Sequence, residues 1–252
     1  MLTCVVVPHF DHVEQFASLL PKLCAQGLPI VVVDDASPDG AYNDLQRLLA
    51  EHAPGSILVR HADNLGKGGA VMTGLRTALD AGYTHALQID ADGQHDVTDI
   101  PRLRQAAEEH PERVICGQPV FDDSISKLRY YGRYLTLSLS WLESLSTEIR
   151  DGLCGFRLYP LQSIVALFEK NRPGQRMAFD PEILVRAVWA GMRLQFIPVH
   201  VRYPEGGRSH FLYFRDNVEI SWMHIRLILG MLLRLPVLIW RRQTGREEPA
   251  TR

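Results

Sequence analysis

The chain has 252 residues, of which 46% are apolar and 22% charged, and its formal net charge is −2. That length suits one α/β unit with a full core and at most a small appendage, and the near-neutral balance argues against a nucleic-acid partner. Cys4, Cys24, Cys116 and Cys154 stand apart with no Cys-x-x-Cys pair, which argues against zinc or a disulfide frame and reads as reduced thiols in a cytosolic compartment.

Leu2 to Val7 is a β-rich apolar run stopped by Pro8. It reads as a buried parallel strand, too short for a secretory signal core. Val13, Phe16, Leu19, Leu20 and Leu23 have helical spacing, and Gly27 closes that helix. A second buried strand runs from Pro29 into Asp34-Asp35 and the turn Ser37-Pro38-Asp39-Gly40. A helix from about Tyr42 to His52, a short strand Ile57 to Arg60, and the glycine-rich loop Asn64-Leu65-Gly66-Lys67-Gly68-Gly69 follow; the loop opens a helix through Leu79. Leu87-Gln88-Ile89 is the fourth strand, and it runs into Asp90-Ala91-Asp92-Gly93-Gln94-His95.

Four strand–helix alternations predict a parallel sheet with right-handed crossovers. Two of its strands end in acid pairs, at Asp34-Asp35 and Asp90/Asp92. In open α/β sheets ligands bind at the carboxyl ends of strands. Carboxylates so close repel unless a cation sits between them, and the hard ions Mg²⁺ or Mn²⁺ share oxygen ligands with substrate phosphates. The expectation is a divalent-metal and diphosphate site.

Beyond Pro101 the pattern loosens. The sequence predicts a helix to about His110, a strand Val114 to Gly117, and a long helix Ser126 to Ser146 on which Arg129 and Arg133 share a face. The turn Asp151-Gly152-Leu153-Cys154-Gly155-Phe156-Arg157 then leads into a strand ending near Tyr159. A helix starts at Phe179-Asp180-Pro181-Glu182, and a last strand lies within Arg193 to Tyr203. The segment Ile225 to Trp240 is strongly apolar but carries Arg226, Arg234 and Pro236, with Arg241-Arg242 behind it. Arginines about every two turns argue against a membrane span; an apolar helix with Trp222 and Trp240 at its flanks fits lying in a membrane interface, with packing on the protein or an oligomer contact as alternatives.

In these residues the chain resembles a family 2 glycosyltransferase of the GT-A fold, nearest its dolichol-phosphate mannose synthase-like branch. The motifs that carry this are Val5-Val6-Val7-Pro8, Val33 to Gly40, Asn64 to Gly68, Asp90 to His95, and Asp151 to Arg157, in order over about Leu2 to His210. The resemblance implies a Rossmann-like, mostly parallel sheet flanked by helices, with C-terminal amphipathic helices: residues 1–210 the catalytic domain, 211–243 membrane-interface helices, 244–252 a disordered tail. It implies an inverting, metal-dependent transfer of a hexosyl group from a UDP- or GDP-linked sugar to a lipid or other amphipathic acceptor, at the inner face of the cytoplasmic membrane.

By the same resemblance Pro8, Asp34, Asp35, Lys67, Asp90 and Asp92 hold the nucleotide sugar, and Asp92 with Gln94 holds Mg²⁺ or Mn²⁺. Asp151 is the candidate general base if the acceptor is an alcohol. If it is a lipid phosphate no base is needed, and Arg129, Arg133, Arg202 and Arg208, with His210, would position it. Arg208-Ser209-His210 resembles a loop that closes over the diphosphate. A nucleotidyltransferase would carry a glycine- and arginine-rich signature after the first strand, where Pro8-His9-Phe10-Asp11 stands. A non-enzymatic sugar-nucleotide or lipid-binding subunit is disfavoured by the intact acid pairs, and a dehydrogenase by the missing G-x-G-x-x-G.

Overall fold

The structure is a computed structural model that describes residues 1–120, 127–201 and 213–244. Its first half alternates as the hydrophobic pattern predicts: β1 (Thr3–His9), α1 (Val13–Cys24), β2 (Ile30–Asp34), α2 (Asp39–His52), β3 (Ile57–Arg60), α3 (Lys67–Asp80) and β4 (His85–Gln88). A single 3₁₀ turn at Val97–Asp99 leads into α4 (Ile100–Glu109). Then come β5 (Val114–Val120), α5 (Lys127–Ser144), β6 (Arg157–Pro160), α6 (Leu161–Asn171), α7 (Phe179–Trp189), β7 (Leu194–His200) and α8 (Tyr213–Thr244).

Seven strands form one sheet in the order β3-β2-β1-β4-β6-β5-β7. Every pairing is parallel except those of β6, which lies antiparallel between β4 and β5. The chain lays β2 and β3 on one side of β1 and β4 on the other. The ends of β1 and β4 thus flank the crevice where strand order reverses, the place at which ligands bind in such sheets. The sequence predicts the strand β6 but not its reversed direction, and it does not predict helix α6, although Leu161, Ile164, Val165 and Phe168 have helical spacing.

The strands are apolar without alternation because both faces are covered. Val5 and Val7 point into a core with Phe16, Leu20, Leu45 and Leu103 from α1, α2 and α4. Cys4 and Val6 point into the other core, with Val71, Leu75, Ile164, Phe179 and Ile183 from α3, α6 and α7. Met223, Leu227, Met231 and Leu238 of α8 belong to this second core, so α8 is packed along one face on the body. Two buried polar anchors fix it: His224 to Glu143 of α5 at 2.6 Å, and Arg226 to Glu182 of α7 at 3.2 Å. One long helix thus stands where several were expected; the tail beyond Thr244 lies outside the described residues. The four cysteines are unpaired, and burial pushes the thiols of Cys4, Cys116 and Cys154 up to about 12.

Candidate active site

Asp34 closes β2 with its carboxylate fully buried. It accepts from the Ser37 amide at 3.2 Å and from His9 Nδ1 at 3.2 Å, and Arg60 Nε lies 3.6 Å away. Burial raises its pKa, but the bonds from His9 and Ser37 outweigh that and hold it below the usual range. Asp35 is the brace of the glycine-rich loop. Its oxygens accept the Leu65 amide at 2.9 Å, the Gly66 amide at 2.7 Å, and His61 Nδ1 at 2.7 Å. On its other side the His61 ring meets the Thr73 hydroxyl, with Nε2 at 2.9 Å.

The braced loop starts α3 through Gly66, whose φ of 90° suits glycine. That entry delivers Lys67 to the strand ends. Its ammonium lies 2.8 Å from Asp90 Oδ2 and 2.8 Å from Asp180 Oδ2. Burial lowers the Lys67 pKa, yet Asp180 and Asp90 outweigh it and the group stays charged. Burial likewise raises Asp90, and the charge of Lys67 with help from His95 reverses this to a strong depression. Among the described residues no cation pairs directly with Asp92, and Lys67 and His95 act on it only weakly. Burial and then the charge of Asp90 push its carboxyl up, while Oδ1 accepts the Gln94 amide at 3.0 Å.

Asp180 is the residue that sequence reasoning missed. An acid in the first turn of a helix reads as a complement to the helix dipole, and nothing local shows that α7 delivers it to Lys67. Gln88 Nε2 donates to it at 3.4 Å, and the Tyr159 hydroxyl donates to Gln88 Oε1 at 3.2 Å. The fully buried Arg157 binds this floor together by donating to the carbonyls of Asp180 and Gly152, each at 2.8 Å. Gly155 is required by the same crowding: a Cβ there would lie 2.6 Å from Lys67 Nζ, 2.9 Å from Gln88 Nε2 and 3.0 Å from Asp90 Oδ2. His95 stacks on Phe156 with centroids 5.2 Å apart and brings Nε2 to 3.9 Å from Asp90.

The fit of a divalent cation rests on Asp90 and Asp92. Asp90 Oδ1 is buried with no hydrogen-bond partner, and Asp92 bears the electrostatic cost of a second carboxylate beside it. Among the described residues no group of three or more His, Cys, Asp or Glu side chains could hold a metal by itself. One or two carboxylates completed by substrate phosphates is the usual donor set for Mg²⁺, and these residues fit it.

Asp151 and Arg133, given separate roles from sequence, are one unit. Arg133 donates through Nε to Asp151 Oδ2 and through Nη2 to Oδ1 at 2.9 Å. Oδ1 also accepts the Leu153 amide at 3.0 Å and the Cys154 amide at 2.7 Å. Both oxygens are thus engaged, Oδ1 by three donors and Oδ2 by Arg133 Nε. Pro8 is buried in β1 opposite Val33, beside the ends of β2 and β4. The Arg129 side chain and all of Arg202, Arg208 and His210 lie outside the described residues.

Residues 4–168 match the family described as Glycosyl transferase family 2. A protein from Micrococcus luteus named undecaprenyl-phosphate mannosyltransferase is 27% identical over 83% of this chain and 87% of its own. A Trichomonas vaginalis protein named dolichyl-phosphate beta-glucosyltransferase is 30% identical over 71% of this chain, which spans 56% of that protein. The glucosyl-3-phosphoglycerate synthase of Mycobacterium tuberculosis, solved with Mn²⁺, uridine diphosphate and phosphoglyceric acid, superposes with a TM-score of 0.66 over 91% of this chain and 78% of its own at 15% identity. At that identity the likeness speaks for the GT-A-like fold alone.

Proposed function

The chain belongs to glycosyltransferase family 2, and from that premise we propose that it moves a hexosyl group from a UDP- or GDP-linked sugar to the phosphate of a membrane lipid, with inversion. The observation that carries the choice of acceptor is the ion pair of Asp151 with Arg133. The carboxylate put forward as general base is held by the Arg133 fork and two backbone amides, so both of its oxygens are engaged before any acceptor arrives. A phosphate acceptor is an anion and has no proton to give up. Arginine matches its geometry, and Asp151 fixes the Arg133 fork in place. The lipid phosphates in the names of the Micrococcus and Trichomonas relatives support the same acceptor class.

In this mechanism the donor lies across the ends of β1, β2 and β4. Pro8, Asp34 and Asp35 flank the base, and Asp35 also holds the glycine-rich loop against it. Lys67 bridges Asp90 and Asp180 and keeps those two carboxylates aligned near the sugar end. Asp92, with Gln94 beside it and Asp90 behind it, would hold Mg²⁺ or Mn²⁺, which supplies positive charge to the leaving diphosphate. An oxygen of the lipid phosphate bonds to the anomeric carbon from one face. The bond to the diphosphate oxygen breaks on the other, and the nucleoside diphosphate departs with the electron pair. Arg129, one turn before Arg133 on α5, and Arg202, Arg208 and His210 from the segment before α8 are the further acceptor and diphosphate ligands in this proposal.

The outer face of α8 supports membrane contact. Phe214–Arg241 is long and apolar enough to cross a bilayer, with a mean hydropathy of 1.6 over its most apolar 18 residues, but its inner face is taken by the core and by the Glu143 and Glu182 anchors. Phe214, Trp222, Leu229 and Leu233 are left exposed, and α5 shows Tyr131, Tyr134, Leu135 and Leu142 at helical spacing. Two adjacent helices with apolar outer stripes fit a peripheral seat on the inner face of the cytoplasmic membrane.

A thermal-shift panel of UDP- and GDP-sugars tests the donor site. With Mn²⁺ or Mg²⁺ at saturating donor, one sugar nucleotide is expected to raise Tm by several degrees, since ligand at 100 times its Kd stabilises by about 2.7 kcal/mol. No shift with any member of the panel, with or without metal, would sink the sugar-nucleotide reading.

A further inference from the structure

A hollow of about 540 Å³ borders the glycine-rich loop at Asn64 and Leu65 and is lined by none of Asp34, Asp35, Lys67, Asp90, Asp92 or Asp180. Arg172, Arg176 and Arg215 line it, from the α6–α7 connection and the first turn of α8, with Glu219 as its one acid. Among the described residues Arg172 and Arg215 make no ion pair, and Arg176 donates only to neutral oxygens of Asn64, at 3.3 Å each. Three guanidiniums against one carboxylate leave a surplus of positive charge in a chain whose net charge is −2. The wall is firm: the Gly174 amide donates to the buried Glu182 at 2.9 Å. Arg172 closes α6 with φ at 45°, a left-handed position where glycine is the easier residue.

The charge sits at one end of an apolar stripe. Phe214, next to Arg215 in the chain, is 84% exposed, and Val218, Trp222 and Ile225 continue from it along a shallow groove of about 420 Å³ on α8. Arginine next to Phe and Trp on an exposed helix is the chemistry of a bilayer surface that carries negative headgroups. We propose that this hollow binds the phosphate of an anionic membrane phospholipid, separately from donor and acceptor, and so sets the enzyme down on α8 in one orientation. The proposal rests on the membrane contact argued above. It also gives that contact a route to the active site, because Arg176 holds Asn64, whose side chain donates to the Asp35 carbonyl at 3.0 Å. Gln175 likewise accepts the Gly69 amide at 2.7 Å.

Flotation of the full chain with phosphatidylcholine vesicles, with and without phosphatidylglycerol, is the test. The wild type is expected to bind the anionic vesicles far more tightly at low salt and to lose that preference at 0.5 M salt, where the screening length falls to a few ångströms. The double substitution R172A/R215A is expected to weaken anionic binding about thirtyfold, the worth of two arginines at such a surface, while binding to phosphatidylcholine and the melting temperature stay unchanged. A double variant that keeps its anionic preference would overturn the proposal. So would stabilisation of the wild type by millimolar inorganic phosphate, lost in the double variant, without any vesicle preference; that result would make the hollow a soluble-phosphate site. Absence of binding to either vesicle, with Leu233→Glu no different from wild type, would instead remove the membrane contact itself.

Discussion

Asp92→Asn is expected to lower glycosyl transfer by about 10³-fold or more, with the fold intact. The substitution keeps the shape of the side chain and the oxygen that accepts the Gln94 amide. It removes the negative charge that would hold a divalent ion, and the positive charge such an ion would supply to the departing diphosphate is worth several kcal/mol. Stability should move the other way. Asp92 is a carboxylate whose pKa is raised, by burial first and by Asp90 second. Such a group binds its proton more tightly folded than unfolded, so its contribution is lost as pH rises through the ordinary carboxylate range. At neutral pH the charge opposes folding, and the amide relieves it. The Asn variant should melt at or above the wild-type temperature without metal, and Mn²⁺ with donor should no longer raise it. A variant that melts well below wild type would mean that Asp92 is structural.

The largest stability loss is expected at Glu182→Ala. This carboxylate is wholly buried and accepts Arg186 at 2.6 and 2.8 Å, Arg226 at 3.2 Å and the Gly174 amide at 2.9 Å. Its removal leaves two guanidiniums and an amide without their acceptor. Breaking a buried ion pair from one side costs about 3–5 kcal/mol, a fall in Tm of roughly 6–20 °C at this chain length. Arg226→Ala should cost much less, because Arg186 still neutralises Glu182. The pair of substitutions separates the docking of α8 from the integrity of α7. A fall below about 2 °C for Glu182→Ala would show that the Glu182 anchor adds little, leaving α8 held by its apolar face and by His224 on Glu143.

Much of the architecture was legible because its signals are local. Unbroken β-branched runs at Val5 to Val7 and Ile30 to Val33 announce strands buried on both faces, and the glycines around Lys67 announce a loop that opens a helix. The acid-ended strands point to the carboxyl ends of the sheet, where the structure brings Lys67, Asp90 and Asp180 together. What could not be read depends on distant partners. Asp180 looks like an ordinary helix-start acid until α7 brings it to Lys67. Arg157 looks like a surface cation after a turn until it is found buried between Gly152 and Asp180. Arg133 and Asp151 were each placed in the site, but for separate duties, and only the packing of α5 against the turn makes them one ion pair. Helix α6 is a different kind of miss, since its period was present behind Pro160. The apolar composition of α8 left membrane and core as alternatives. The fold uses it for core on one face and leaves the other face exposed.

The central claim is that the acceptor is a phosphate, because the carboxylate put forward as general base is paired with Arg133 and two backbone amides. Transfer of radiolabelled sugar to a polyprenyl phosphate and to the matching free polyprenol, in the same detergent with Mn²⁺ or Mg²⁺, tests it most directly. The expected result is product from the phosphate alone, removed by EDTA, with Arg133→Ala reducing transfer more than Asp151→Asn. Sugar transferred equally well to the free alcohol, and lost in Asp151→Asn, would contradict the account and return Asp151 to the role of general base.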